Sequence, residues 1–222
     1  MKQYSIRIAH MLVGLILFAL GIVLVISANI GYAPWEVFHA GLAKQTGLSI
    51  GEASIVAGVV ILLIVTLFKE KFGLGTIASM VLTGVFIDLL LEAKIIPVLS
   101  NLAGGVIMLI AGLFIISAGS YFYMKSAFGA GPRDNLMVVL ARKTKLPIGV
   151  CRGIVELTVT VVGWLLGGMV GVGTVIAGFA IGFCIQHTFR LFRFDATAVQ
   201  HETLNQTRKN LAHLMEVRRV AK

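Results

Sequence analysis

The chain alternates between long apolar stretches and short polar interruptions. Six stretches, at 8–30, 50–68, 75–91, 105–124, 148–166 and 174–189, are 16 to 23 residues long and carry few charges. A bilayer-crossing helix needs roughly 20 predominantly apolar residues, so each stretch predicts a membrane span. Two further segments, 34–47 and 132–145, open on Pro34 and Pro132 and place an acid two positions on, Glu36 and Asp134. Proline at a first helical position with an acid in the first turn is a helix-start signal, so both segments are predicted to be helical. They are short. About 14 residues at 1.5 Å each reach ~21 Å against a hydrocarbon core of ~30 Å, so these helices are expected to be re-entrant or interfacial.

The same pattern occurs twice. Residue n matches residue n+98 from Gly14 to Ile87 without a gap, with 17 identities in 74 positions. Gly31-Tyr-Ala-Pro34-Trp-Glu36 pairs with Gly129-Ala-Gly-Pro132-Arg-Asp134, Leu48-Ser-Ile-Gly51 with Leu146-Pro-Ile-Gly149, and Gly73-Leu-Gly75-Thr76 with Gly171-Val-Gly173-Thr174. Shared apolar composition matches Leu and Val by chance, but it does not line up Pro, Thr and several Gly in one frame, so an internal duplication is inferred. The expected organisation is a first membrane repeat at 1–98, a second at 99–194 and a polar, basic tail at 195–222. The fold class follows: an all-α, polytopic helical membrane protein with six transmembrane helices. If the short helices do not cross, each repeat has three spans, and the second repeat is inserted inverted relative to the first.

Charge tests that orientation. The chain has 19 Lys+Arg against 10 Asp+Glu, a net +9, with only 13% charged residues and a mean hydropathy of +0.95. On a soluble protein such basicity suggests nucleic acid; on a membrane protein it reports retention of Lys and Arg on the cytoplasmic side. With the N-terminus inside, Lys2, Arg7, Lys69, Lys71, Lys125, Arg133, Arg142, Lys143, Lys145, Arg190 and Arg193 fall on that side, and Lys44 and Lys94 fall outside. Both termini are therefore expected to be cytoplasmic and the protein to sit in the cell membrane. The first apolar stretch exceeds a signal-peptide core and has a counterpart in the second half, so it reads as a span. Tail residues Leu204, Leu211, Leu214 and Met215 show weak helical periodicity before Arg218, Arg219 and Lys222, which suits contact with an anionic leaflet.

Ionisable residues inside such a chain are the candidates for function, because charges in a bilayer are costly and persist where they bind or pair. The short helices bring Glu36 with Trp35, and Asp134 with Arg133 and Asn135; these five are the predicted substrate-binding residues. An acid in a first helical turn also serves simply to stabilise the helix end. Arg152 and Glu156 lie four apart on one predicted helix and form a candidate intramembrane ion pair. Glu52 lies at a helix start, while Asp88 and its equivalent Gln186, beside His187, lie late in their spans. Gly163/Gly167 and Gly178/Gly182, each four apart, suit close helix packing. Cys151 and Cys184 sit in apolar surroundings without metal spacing, so no metal or organic cofactor is expected. Gly119-Ser120 is not a nucleophile motif, and Gly73-x-Gly75-Thr76 lacks the lysine of a phosphate loop, so enzymatic activity is not expected.

Together, Asn29-Ile-Gly31-Tyr-Ala-Pro34-Trp-Glu36, Leu48-Ser-Ile-Gly51, Gly73-Leu-Gly75-Thr76 and the second-half run Gly129-Ala-Gly-Pro132-Arg-Asp134-Asn135 resemble the YitT/YczE-like bacterial integral membrane proteins. The resemblance covers about residues 14–189 and implies a multi-span membrane protein. It carries no catalytic residues over. Repeated, interrupted helices are a recurring transporter plan, so the expected function is a transporter or channel for a small solute or ion. The alternative is a membrane subunit or scaffold that captures a substrate for, or regulates, a partner protein. The expected partners are the lipid bilayer and a small solute, with room for a homo-oligomer or a membrane partner, and no nucleic acid.

Overall fold

The computed structural model describes residues 2–70, 72–199, 202, 203, 206, 207 and 210. Lys71 and the tail residues Leu204, Leu211, Leu214, Met215, Arg218, Arg219 and Lys222 lie outside the described residues. Among those described there are eight α-helices and a 3-10 turn, and no strand: α1 Lys2–Ser27, α2 Pro34–Thr46, α3 Ile50–Leu67, α4 Leu74–Glu92, α5 Leu102–Lys125, α6 Pro132–Thr144, α7 Ile148–Leu165 and α8 Val172–Leu191. The starts of α2, α3 and α4 lie 98 residues before those of α6, α7 and α8. Helix boundaries thus follow the sequence register.

Five helices, α1, α3, α4, α5 and α8, are long and apolar enough to cross a bilayer. A sixth candidate joins α6 to α7 across a bend of 118°. Leu67, Leu165, Ile107 and Phe179 are 80%, 73%, 71% and 85% exposed, which water would penalise and acyl chains do not. Helices α2 and α6 begin alike. Extended Ala33 and Gly131 precede the prolines, and each helix ends on a left-handed residue, Gly47 at φ 76° and Lys145 at φ 60°. Only α2 is enclosed on most sides: Pro34, Trp35, Glu36, Val37, His39, Gly41 and Ala43 are all buried. Helix α2 is thus packed on most sides by the rest of the protein.

The centre of the molecule is an antiparallel contact between α1 and α5. A Cβ on Gly21 would lie 2.7 Å from Gly112 O, and one on Gly119 would lie 2.8 Å from Gly14 O. Gly14 and Gly112 are equivalent positions, as are Gly21 and Gly119, so the contact is reciprocal. Glycines seven apart share a helix face after two turns and let the two backbones touch. Around this seam lie buried Ala19, Ile22, Leu109, Leu113 and Ile116, with Ala177 and Cys184 joining from α8.

Two crossed joints tie the halves together. Gly173 N–H donates to Ile30 O at 2.8 Å, and at the equivalent place Gly75 N–H donates to Phe128 O at 2.9 Å. Gly31 (φ 111°) rests on Gly171, and Gly129 (φ 139°) rests on Gly73; a side chain would be strained at either φ and would strike backbone. Thr76 and Thr174 each take the N–H of the glycine three residues earlier, at 3.3 and 3.1 Å. The glycine-threonine motifs are therefore interhelical turns. After α8 the chain returns to the foot of α1, where Glu202 pairs with Arg7 at 2.5 Å and its N–H donates to Ala127 O.

The glycine spacings divide. Gly163 lies against Phe38 of α2, and Gly167 lies near the Lys44 side chain, while Gly178 and Gly182 have no atom within 4 Å of a Cβ position. The expectation of close packing at Gly178/Gly182 is thus corrected: α8 presents these glycines to open space because α7 stands away from it. Gly21→Leu is expected to destabilise the purified protein by ~1–3 kcal/mol or more through overpacking, whereas Gly153→Leu, with nothing within 4 Å, leaves the unfolding midpoint near that of the parent; thermal unfolding in detergent compares the two.

Candidate functional site

A cavity of about 380 Å³ lies between the two halves, and all eight helices contribute to its wall. That volume is within the usual range for small-molecule sites. Its floor and sides are apolar, with Phe18, Ile22, Ile61, Leu113, Ile116 and Ile181 among the lining residues. Its polar part is built by the starts of α2 and α6, which converge there because the extended segments before Pro34 and Pro132 turn both helices inward.

Trp35, Glu36, Arg133, Asp134, Arg152 and Glu156 all line this cavity. The guanidinium of Arg133 stacks on Trp35, with Cζ 4.5 Å from the ring centroid, and reaches 3.7 Å from Glu36 Oε1 and 3.5 Å from His39 Nε2. Trp35 and Arg133 are equivalent positions in the two repeats, so one half supplies the ring and the other the cation. The Glu36 side chain is 6% exposed and that of Arg133 is 27%, so the acid is enclosed while the guanidinium still faces the cavity.

Asp134 is held differently. Tyr123 Oη donates to Asp134 Oδ2 at 3.1 Å, and the same hydroxyl accepts the N–H of Gly131. One phenol thus occupies an unpaired donor at the start of α6 and orients its acid. The Nδ2 of Asn135 donates to Ala130 O at 3.3 Å, so Asn135 closes the turn before α6 and is outside the cavity wall. Thr76 Oγ1 donates to that same carbonyl at 2.6 Å. On α7, Arg152 Nε donates to Glu156 Oε1 at 2.8 Å, with the arginine 43% and the glutamate 15% exposed. Three carboxylates and two guanidiniums therefore share one cavity, with two helix N-termini adding partial positive charge.

The remaining sequence candidates are elsewhere. Asp88 accepts from Ser49 Oγ at 2.5 Å and from Gly51 N–H at 2.8 Å, and Glu52 completes a reciprocal cap with Ser49 at the start of α3. His187 lies edge-on to Phe114 and stacks near Phe183. Cys151 and Cys184 are buried, unbridged thiols, and no cluster of three or more metal-ligating side chains occurs among the described residues.

Two site residues were not singled out in the sequence. His39, 1% exposed, lies one turn beyond Glu36, and that i, i+3 spacing was the signal available. Tyr123 comes from the last turn of α5, and nothing local to it points to Asp134.

With its described residues all-helical and five or six apolar helices of bilayer-crossing length around a charged cavity, the chain is a multi-pass integral membrane protein. It belongs to the family of unknown function DUF6198, whose model matches residues 5–190. The chain is 35% identical over 187 residues to the uncharacterized membrane protein YczE of Bacillus subtilis (strain 168), covering 83% of this chain and 86% of that protein. It is 33% identical over 179 residues to an uncharacterized protein of Haemophilus influenzae (78% and 81% covered) and 28% identical over 180 residues to the uncharacterized protein YyaS of Bacillus subtilis (80% and 89% covered). These relatives bear out the YczE-like resemblance. No solved structure matches the chain.

Tyr123→Phe is expected to destabilise the protein by ~1–3 kcal/mol, because the Gly131 N–H loses its acceptor and Asp134 its donor. Thermal unfolding in detergent measures this, and a variant as stable as the parent would remove Tyr123 from its role at the start of α6.

Proposed function

We propose that this protein is a transporter of a small solute, built from two inverted repeats, with the cavity at their junction as the solute site. The observation that carries the reading is the convergence of the two short-helix N-termini, Trp35-Glu36 and Arg133-Asp134, in one cavity between the repeats. Charges there are expensive to keep in a membrane interior, and such charges ordinarily bind or relay something. The mixed wall suits a solute with a polar or charged group and an apolar part: the Trp35 face and the isoleucines take the apolar part, while Glu36, Asp134, Arg133 and the Arg152–Glu156 pair take the polar group.

Inversion of the repeats is supported by the reciprocal, antiparallel α1–α5 contact, in which equivalent glycines meet in exchanged order. It is supported too by the charge distribution, which retains most Lys and Arg on one side when the N-terminus is cytoplasmic. The arrangement has six spans, with α7 the sixth and α2 and α6 inserted part-way, in the cell membrane. No ATP-binding motif is present in the sequence, which fits this reading and equally a membrane subunit that serves a partner protein.

Uptake by the purified protein in liposomes, assayed with a panel of small organic cations, anions and zwitterions, tests the function. Glu36→Gln and Asp134→Asn, each shown to be folded, are expected to lower the rate at least ~10-fold for any solute moved, as removing a charge-assisted contact of ~1.4 kcal/mol or more would. Rates equal to the parent would take both acids out of the site. Topology is checked separately by cysteine labelling from outside intact cells in a background without Cys151 and Cys184. Position 44 is expected to react and position 143 to stay protected; the reverse pattern, or labelling of both, would overturn the inverted arrangement.

A further inference from the structure

Equivalent helix pairs differ in the two halves. At the end where α3 begins, α3 and α4 are clasped together. A Cβ on Gly84 would lie 2.6 Å from Gly51 O, and Asp88 takes both Ser49 Oγ and Gly51 N–H. Further along, Met80 fills the space beside Gly58, with its Cγ 2.5 Å from where a Cβ would stand. The positions equivalent to Gly51, Ile55, Gly58, Met80, Gly84 and Asp88 are Gly149, Gly153, Glu156, Gly178, Gly182 and Gln186. Gly149, Gly153, Gly178 and Gly182 all have nothing within 4 Å of a Cβ position. Both helices nevertheless bound the cavity, α7 through Arg152 and Glu156 and α8 through Ala177, Ile181 and Ile185. A space between α7 and α8 would give entry to the cavity, with the Arg152 side chain, 43% exposed, at its mouth.

The separated surfaces are shaped to meet. Glycine would face glycine at 149 and 182, as at 51 and 84. The small-large pair Gly58/Met80 is exchanged for the large-small pair Glu156/Gly178, so the total volume across the contact is kept. The side-chain carbonyl of Gln186 offers Gly149 N–H the acceptor that Asp88 offers Gly51. Pro147 replaces Ser49 and brings no hydroxyl, so this second clasp would have one hydrogen bond fewer than the first. Closure would enclose Arg152 already paired with Glu156, leaving no net charge to bury.

We propose that α7 and α8 are a gate to the cavity, closing through the contact that α3 and α4 make here, while the α3–α4 clasp opens in exchange. The proposal rests on the transport reading and gives it its two states: the structure is the one open between α7 and α8, on the cytoplasmic side when the N-terminus is inside. Rocking between pseudosymmetric arrangements is the general means by which repeat-built transporters expose one site to either side.

The test is disulfide trapping of Gly149→Cys with Gly182→Cys in protein lacking Cys151 and Cys184, reconstituted in liposomes and oxidised with copper phenanthroline. A disulfide requires Cα atoms within ~7 Å, which the closed gate provides, and irreversible capture accumulates even a minor state. Cross-linking in most molecules is the expected result. Thiols that stay free under oxidation, though each alone reacts with maleimide, would overturn the gate.

Spin labels at Ile154 and Phe183, both lipid-exposed, supply a measurement that does not touch the contact. Two distances are expected, the shorter matching that of the equivalent pair Val56 and Val85; a single long distance would overturn the gate. Gly182→Leu occupies open space and is expected to fold, yet to cut solute uptake at least ~10-fold by blocking closure, and parental uptake would count against the gate. Trapping without uptake of any solute in the panel would leave the gate standing and remove the transport reading.

Discussion

Everything in this molecule hangs on the backbone-to-backbone contact of α1 and α5. Among lipid tails there is no hydrophobic gain from bringing two helices together, so association depends on packing at close range. Glycines 14, 21, 112 and 119 permit that range, and their reciprocal pairing holds α1 and α5 antiparallel. Once α1 and α5 are antiparallel, the segments leaving their ends are directed to opposite faces. The Gly31–Gly171 and Gly73–Gly129 joints then hold each short helix against the other half's hairpin turn. The cavity is what remains between two halves that meet along the α1–α5 seam, at the crossed joints, and where each short helix packs on the other half, as Gly41 and Phe38 of α2 do on Gly163 of α7.

Within that frame the two halves share backbone and differ in chemistry. Ser54 and Gly58 on α3 correspond to Arg152 and Glu156 on α7, and His39 corresponds to Met137. The first half supplies the closed pair of helices and an aromatic face; the second supplies most of the charge and the opening. The same division explains why α2 is buried on most sides while α6, whose helix carries Arg142 and Lys143 in its last turn, is more exposed. Arg142 in turn pairs with Glu70 beyond the end of α3, so the exposed end of α6 is anchored to the first half.

Much of this was legible in the chain. The 98-residue register anticipated which helices begin together, proline with a following acid marked both short helices, and hydropathy marked the spans. The convergence of Trp35, Glu36, Arg133 and Asp134 followed from the two short helices being equivalent. Other features had no local trace. Tyr123 reaches Asp134 only because α5 ends where α6 begins to turn inward, and Asn135, adjacent to the acid, turns instead toward its own loop. Gly178 and Gly182 look like a packing motif because spacing encodes a helix face and says nothing of whether a neighbour is present. The separation of α7 from α8 belongs to the arrangement of the whole molecule, and a periodic pattern cannot record it.

The stack of Arg133 on Trp35 has a further meaning for how such a site can come to exist. The two residues occupy equivalent positions, so an assembly of two identical single repeats would set tryptophan against tryptophan or arginine against arginine at this place. Neither pairing joins a cation to an aromatic face, and two facing guanidiniums in a low-dielectric interior would repel. Joining both halves in one chain frees each position to change without its counterpart. Covalent fusion, which adds nothing to the helix packing itself, is what makes an asymmetric pocket available to a symmetric scaffold.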